Sequence, residues 1–188
     1  MKLGLLGGSF NPIHHGHLVI ATRAAEALKL DRVLFIPAAT SPLKRGREFA
    51  SPGDRWAMVR LALRGNPLFE ADDLELRRGG LSYTVDTLRE LGLRSPSADL
   101  HLILGADATR LLPRWKALDE VRKRVTFVVI SRPGHRIRGE MAKYCHVDSP
   151  LLEISSSEIR ERARKGLSLR YLVPEAVERY VRKKGLYR

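Results

Sequence analysis

Cysteine is almost absent from this sequence, and that bounds its chemistry at once. With Cys145 alone, the chain can form no internal disulfide, and no paired Cys/His spacing suggests a zinc site. A reducing, cytoplasmic location is the expectation. Aromatic residues are also scarce at 6%, with no alternating basic and aromatic stripe of the kind that stacks bases. No apolar run approaches the length needed to cross a bilayer. The first such run is broken by Gly7 and Gly8 too early for a signal peptide. Internal repeats, low-complexity tracts and a convincing linker are missing as well, so one domain spanning residues 1–188 is expected.

What the chain does have is positive charge. Thirty-four Lys and Arg against 21 Asp and Glu give a formal charge of +13, which favours anionic partners. The basic residues are spread along the sequence. Their clusters at Arg122-Lys123-Arg124 and Arg182-Lys183-Lys184 read as solvated helix faces, so nucleic acid is not expected as the primary partner.

Apolar periodicity alternates between strand and helix. Leu3, Leu5 and Leu6 suggest a buried strand, and Leu18, Ala21, Ala25 and Leu28 recur at helical spacing. Strands are expected at 32–37, 100–105, 125–130 and near 145–147, with an extended stretch at 69–76. Ser51-Pro52-Gly53-Asp54 opens a helix with a cap, a first-turn proline and an acid near the positive end of the dipole. Helices are expected at about 84–93, 156–165 and 174–184, with Ser155 and Glu158 at capping-box spacing. Strands alternating with helices imply a mostly parallel sheet covered on both faces, with ligands beyond the carboxyl ends of the strands.

The most unusual stretch lies at the first of those ends: GGSFNPIHHGHL, residues 7–18. The glycine spacing is wrong for a dinucleotide fingerprint, and no lysine follows to make a P-loop. His14, His15 and His17 form a neighbouring trio, yet no carboxylate or cysteine set completes a metal site. No metal ligand is therefore assigned. Phosphate recognition remains, because a helix N-terminus offers unpaired N–H groups and partial positive charge. His14 and His17, three residues apart, can share one side of its first turn.

These residues carry a family resemblance. The segment His14-His15-Gly16-His17 resembles the HxGH motif of a nucleotidyltransferase superfamily. Further along, Ser82-Tyr83-Thr84-Val85-Asp86-Thr87, Gly105-Ala106-Asp107, Leu112-Pro113-Arg114-Trp115, Ser131-Arg132-Pro133-Gly134 and Ile154-Ser155-Ser156-Ser157-Glu158-Ile159-Arg160 occur in the order seen in bacterial nicotinate-nucleotide adenylyltransferases. Tyr171-Leu-Val-Pro174 and Gly185-Leu-Tyr187 are similar to that family too. One departure is visible: family members often place a histidine before the basic residue of the loop after the second strand, where this chain has Leu43 before Lys44.

The resemblance implies a Rossmann-like α/β nucleotidyltransferase fold, with 155–188 as a small C-terminal helical part. It also implies transfer of AMP from ATP to nicotinate mononucleotide, with Mg2+ accompanying ATP. His14 and His17 are then the catalytic pair. Gly7, Gly8, Ser9, Phe10, Gly105, Asp107, Arg132, Ser155, Ser156 and Arg160 fall on the ATP side; Lys44, Tyr83, Thr84 and Trp115 fall on the acceptor side. Plainer roles stay open: capping for the serines and Asp107, solvent exposure for Lys44 and core packing for Trp115. A nucleotide-sensing module and a different phosphorylated acceptor also stay open, as does the oligomeric state, homo-oligomers included.

Overall fold

A computed structural model describes residues 1–42, 50–131, 143–150 and 152–188 of the chain, apart from the side chain of Asp107. Six strands form one sheet: β1 (Lys2–Gly8), β2 (Arg32–Pro37), β3 (Phe69–Ala71), β4 (Asp99–Gly105), β5 (Thr126–Ser131) and β6 (Cys145–Asp148). Their order is β3-β2-β1-β4-β5-β6. Every neighbouring pair is parallel, so the expected mostly parallel sheet is wholly parallel among the described residues. The strand order reverses at β1, whose neighbours are β2 and β4. In such sheets the crevice beyond the strand ends at that reversal is where ligands bind. Gly7 and Gly8 end β1 at that crevice, and Gly105 ends β4 beside them.

Alternation along the strands supplies both faces of the sheet with apolar side chains. Leu6, Val33, Phe35, Ile103, Val128 and Ile130 share one core with Ala21, Ala24 and Ala25 of α1 (His15–Leu28). Met58, Val59 and Leu63 of α2 (Pro52–Leu63) join them, as do Ile159 of α7 (Ser156–Arg164) and Val177 and Val181 of α8 (Glu175–Lys184). The opposite face buries Leu3, Leu5, Leu34, Ile36, Leu100, Leu102, Leu104 and Phe127. It is covered by Leu74 of α3 (Leu74–Arg78), by Val85, Leu88 and Leu91 of α4 (Thr84–Arg94), and by Val121 of α6 (Leu118–Arg124). Gly4 makes the first face close: a Cβ there would lie 2.7 Å from Leu30 Cδ1 and 3.1 Å from Val33 Cγ2.

The expected helix starts are present. Ser51 Oγ accepts the Asp54 N–H at 3.0 Å, and Ser155 Oγ accepts the Glu158 N–H at 3.1 Å. One expectation fails. The stretch 69–76 is extended only as far as Ala71; the Leu74 N–H then turns back to Asp72 Oδ1 at 2.9 Å, and α3 begins. An aspartate that satisfies a backbone donor two residues on favours a turn over a continuing strand. The turn α5 (Ala106–Thr109), a 3-10 turn at Leu112–Arg114 and α6 lacked a clear periodic signal. The basic clusters sit in the last turns of α6 and α8, where cations suit the helix dipole. No helix among the described residues is long and apolar enough to cross a membrane.

Candidate active site

The turn between β1 and α1 is built around Phe10. Its backbone is left-handed, with φ of 45°, and its ring is 1% exposed. The ring lies edge-on to His17 with centroids 5.0 Å apart and tilted against Phe35 at 5.9 Å. Phe10 therefore supports the turn by packing beneath it.

His14 caps α1 and His17 sits in its first turn. Their ring centroids are 3.7 Å apart, which realises the shared side expected from their spacing. His17 Nδ1 accepts the His14 backbone N–H at 3.2 Å. That acceptor role puts the proton of neutral His17 on Nε2, making Nε2 a donor. Gly16 is required between them, since a Cβ would meet His14 Nδ1 at 2.9 Å and the Ile154 carbonyl oxygen at 3.6 Å.

His14 is 7% exposed, and its Nδ1 is buried without a hydrogen-bond partner among the described residues. Burial, helped by the charge of His15, lowers its pKa to about 4. His14 is thus neutral at pH 7 before ligand binds. Below the ordinary value of 6.5 the unfolded chain takes up this proton and the folded chain resists it. The stabilisation is therefore complete above pH 6.5 and is lost as pH falls toward 4, in total about 3 kcal/mol. Between pH 7.5 and 5, wild type should lose about 2 kcal/mol more stability than His14→Asn in urea titrations. An equal loss in both proteins would show that His14 does not resist protonation.

A second helix N-terminus is tied to this turn. Ser156 Oγ donates to the Pro12 carbonyl at 2.9 Å. Arg160 Nη1 donates to the Asn11 carbonyl at 2.9 Å, and its Nη2 to Ser157 Oγ at 3.1 Å. The His15 N–H reaches the Leu172 carbonyl at 3.0 Å. The starts of α1 and α7, each carrying the partial positive charge of a helix N-terminus, are therefore neighbours. The fold brings Gly7, Gly8, Ser9, His14, His17, Ser155, Ser156 and Arg160 to one place although its extremes lie 153 positions apart in the chain.

The residues expected on the acceptor side form a second group. Tyr83 caps α4, Thr84 begins it, and both Tyr83 and Trp115 pack against the second core. Lys116 bridges the group, with Nζ 4.6 Å from the Tyr83 ring centroid and 3.1 Å from Asp86 Oδ2. Asp86 also pairs with Arg89 at 3.1 Å. The two groups are joined by main chain: the Ala38 N–H goes to the Gly8 carbonyl at 2.9 Å, and the Ala39 N–H to Ser82 Oγ at 2.9 Å. Glu75 backs this junction. Burial pushes its carboxyl pKa up, opposed by hydrogen bonds from Thr87 and Ser82 and by the charge of Arg78. Gly105 caps α5, which contains Asp107. Lys44 and Arg132 lie outside the described residues.

Three residues of the site were not anticipated. Arg55 is 3% exposed and donates to carbonyls of the surrounding loops. Asn11 Oδ1 receives both the Ala50 N–H at 3.0 Å and the Tyr187 hydroxyl at 2.8 Å. Burial raises the Tyr187 pKa, so its phenol stays protonated and can donate. Only the likeness of Gly185-Leu-Tyr187 to a known family hinted at this; Asp54-Arg55-Trp56 reads as an ordinary polar helix face. No group of three His, Cys, Asp or Glu among the described residues could hold a metal ion.

A parallel sheet that presents paired histidines and two helix N-termini at its switch point is an arrangement suited to holding phosphate groups. The family model described as cytidylyltransferase-like matches residues 5–162. A probable nicotinate-nucleotide adenylyltransferase of Desulfitobacterium hafniense (strain Y51) is 43% identical over 198 residues, covering 100% of this chain and 96% of the relative. Its counterpart in Roseiflexus sp. (strain RS-1) is 45% identical over 198 residues, covering 99% and 98%. This chain belongs to the cytidylyltransferase-like family and, within it, to the nicotinate-nucleotide adenylyltransferases. The Rossmann-like fold is shared with a Plasmodium falciparum nicotinic acid mononucleotide adenylyltransferase complexed with NaAD, at a TM-score of 0.83 and 19% identity over 99% of this chain and 97% of that one.

Proposed function

We propose that this protein transfers the AMP group of ATP to the phosphate of nicotinate mononucleotide, forming deamido-NAD and releasing pyrophosphate. The observation that carries the reading is the pair of histidine rings, tilted against each other with centroids 3.7 Å apart, at a helix N-terminus beside a second one. The attacking phosphate oxygen is already ionised near neutral pH, so the reaction needs no serine nucleophile and no general base. It needs alignment of two anions and stabilisation of charge on the phosphorus being attacked. The Nε2 donor of His17, the main chain at Gly7 to Ser9 and the positive end of the α1 dipole suit that task. His14 and Arg160 add to it: phosphate arriving beside neutral His14 favours its protonation, and Arg160 holds the turn by the Asn11 carbonyl.

Ser155 and Ser156 open α7, whose N–H groups suit the leaving pyrophosphate. The Ser155 hydroxyl caps the helix and that of Ser156 binds the Pro12 carbonyl, contacts that are compatible with phosphate binding at the same helix start. On the resemblance to the family, Mg2+ would accompany ATP as the counter-ion of its phosphates. Such an ion, when bound, would supply charge stabilisation on the leaving pyrophosphate. We place Lys44 and Arg132 on the acceptor and ATP sides on their match to the family motif alone; Gly105 and Asp107, at the end of β4, complete the ATP side. The whole chain, 1–188, is read as one domain with 155–188 as its helical part, because Ile159, Val177 and Val181 share the core of β1 and α1.

The decisive experiment is pyrophosphate release from ATP and magnesium with nicotinate mononucleotide, beside nicotinamide mononucleotide and phosphopantetheine, with product masses confirmed. Deamido-NAD as the main product is expected. Turnover with another acceptor alone would move the substrate assignment, and ATP binding without turnover would favour a sensing module. On the acceptor side, Trp115→Ala should raise KM for the pyridine mononucleotide by about 10-fold, the worth of one stacking contact, with a smaller change for ATP. Equal losses for both substrates would leave Trp115 a packing residue only.

A further inference from the structure

Arg55 has no carboxylate partner among the described residues. Its guanidinium instead donates to three carbonyls on three separate segments: Nη1 to Ser9 at 2.9 Å, Nη2 to Ala39 at 3.1 Å and Nε to Ala50 at 3.3 Å. A buried ion without a counter-ion is a poor source of net stability. A planar fork that addresses several acceptors at once is, however, a precise spacer, and lysine cannot reproduce it. The segments it joins decide what it spaces. Ser9 lies in the turn that precedes the histidines, and Ala39 lies after β2.

Ala39 is gripped from its other side by the acceptor group. Its N–H goes to Ser82 Oγ at 2.9 Å, and the next carbonyl, that of Thr40, accepts the Ser82 N–H at 2.9 Å. Ser82 directly precedes Tyr83 and Thr84. A continuous path therefore runs from Ser9 through the Arg55 guanidinium and the Ala39 peptide to Ser82.

We propose that Arg55 is a positioning residue that, through Ala39 and Ser82, sets the separation between the nucleotide turn and the acceptor segment. This rests on the adenylyl-transfer reading above. Each half of the site keeps its own substrate contacts when the bridge is cut, whereas in-line attack depends on the distance between the two. A misplacement of the order of 1 Å can cost about 100-fold in rate. The signature is a fall in kcat with little change in either KM.

The test compares Arg55→Lys, Ser82→Ala and the double variant of the intact chain, by steady-state kinetics and by amide hydrogen exchange with ATP alone. Each single variant should lose about 10-fold or more in kcat, with KM for ATP and for nicotinate mononucleotide within about 3-fold of wild type. Because both cut one bridge, the double variant should be no slower than about 3-fold below the worse single one. An unaltered kcat in Ser82→Ala, or losses that multiply, overturns the proposal. In the exchange experiment ATP should slow the Ser82 amide in wild type and not in Arg55→Lys, and equal slowing in both overturns it. Should Arg55→Lys fail to fold, the kcat and KM values of Ser82→Ala decide by the same criteria. Wild type that exchanges as expected yet releases no pyrophosphate would sink the adenylyl-transfer reading and leave the bridge standing.

Discussion

His17→Ala is expected to keep the fold and to lose at least about 100-fold in kcat, the cost of removing one donor that meets developing charge in a transition state. The hydrogen-bond pattern motivates the size. His17 Nδ1 is committed to the His14 N–H, so the ring is held in one orientation and in one tautomer, with Nε2 as a donor. The edge of Phe10 on one side and the His14 ring on the other hold it further. Little stability depends on it: the substitution removes one backbone acceptor at a helix start, a loss of about 1 kcal/mol. Steady-state kinetics alongside thermal unfolding separate the two effects. A variant with kcat within about 3-fold of wild type would remove His17 from the reaction.

Phe10→Ala is expected to be the more damaging change to the fold. The ring is 1% exposed and touches the next residues of the motif as well as β2. Truncating a buried phenylalanine costs about 3–5 kcal/mol, through lost burial and the cavity left behind. This cavity opens directly under the site: a Cβ on Gly8 would lie 3.3 Å from the ring, and His17 would lose its edge contact. Activity should therefore fall even at temperatures where the variant remains folded. Denaturant unfolding reads the stability, and a loss below about 1 kcal/mol would show that the turn repacks without the ring.

The contrast between these two neighbours shows how far the sequence could be read. His17 was legible, because a histidine at a strand-to-helix turn with glycines around it has few uses besides phosphate chemistry. Phe10 was assigned to the ATP side by likeness alone; nothing local signals that its ring turns inward under a left-handed backbone. The reading of 69–76 failed in a similar way. The sequence pointed to a short strand or extended pair over the whole stretch, and a short-range hydrogen bond from Leu74 to Asp72 ends the extended part after Ala71.

Arg55, Asn11 and Tyr187 make the same point at longer range. Each is an ordinary polar residue in its own segment, and each acquires its role from partners as many as 176 positions away.

The sequence by itself determined the alternation of strands and helices, the two-sided parallel sheet, the caps at Ser51 and Ser155, and the strand-to-helix turn that carries the histidines. These are local or periodic properties, set by side-chain spacing and by the donors a helix start leaves unpaired. Only the tertiary structure decided that α7 opens beside α1, that burial keeps His14 neutral, and that one guanidinium joins Ser9, Ala39 and Ala50. Those facts depend on desolvation and on distances between remote segments, and neither quantity exists until the chain has packed.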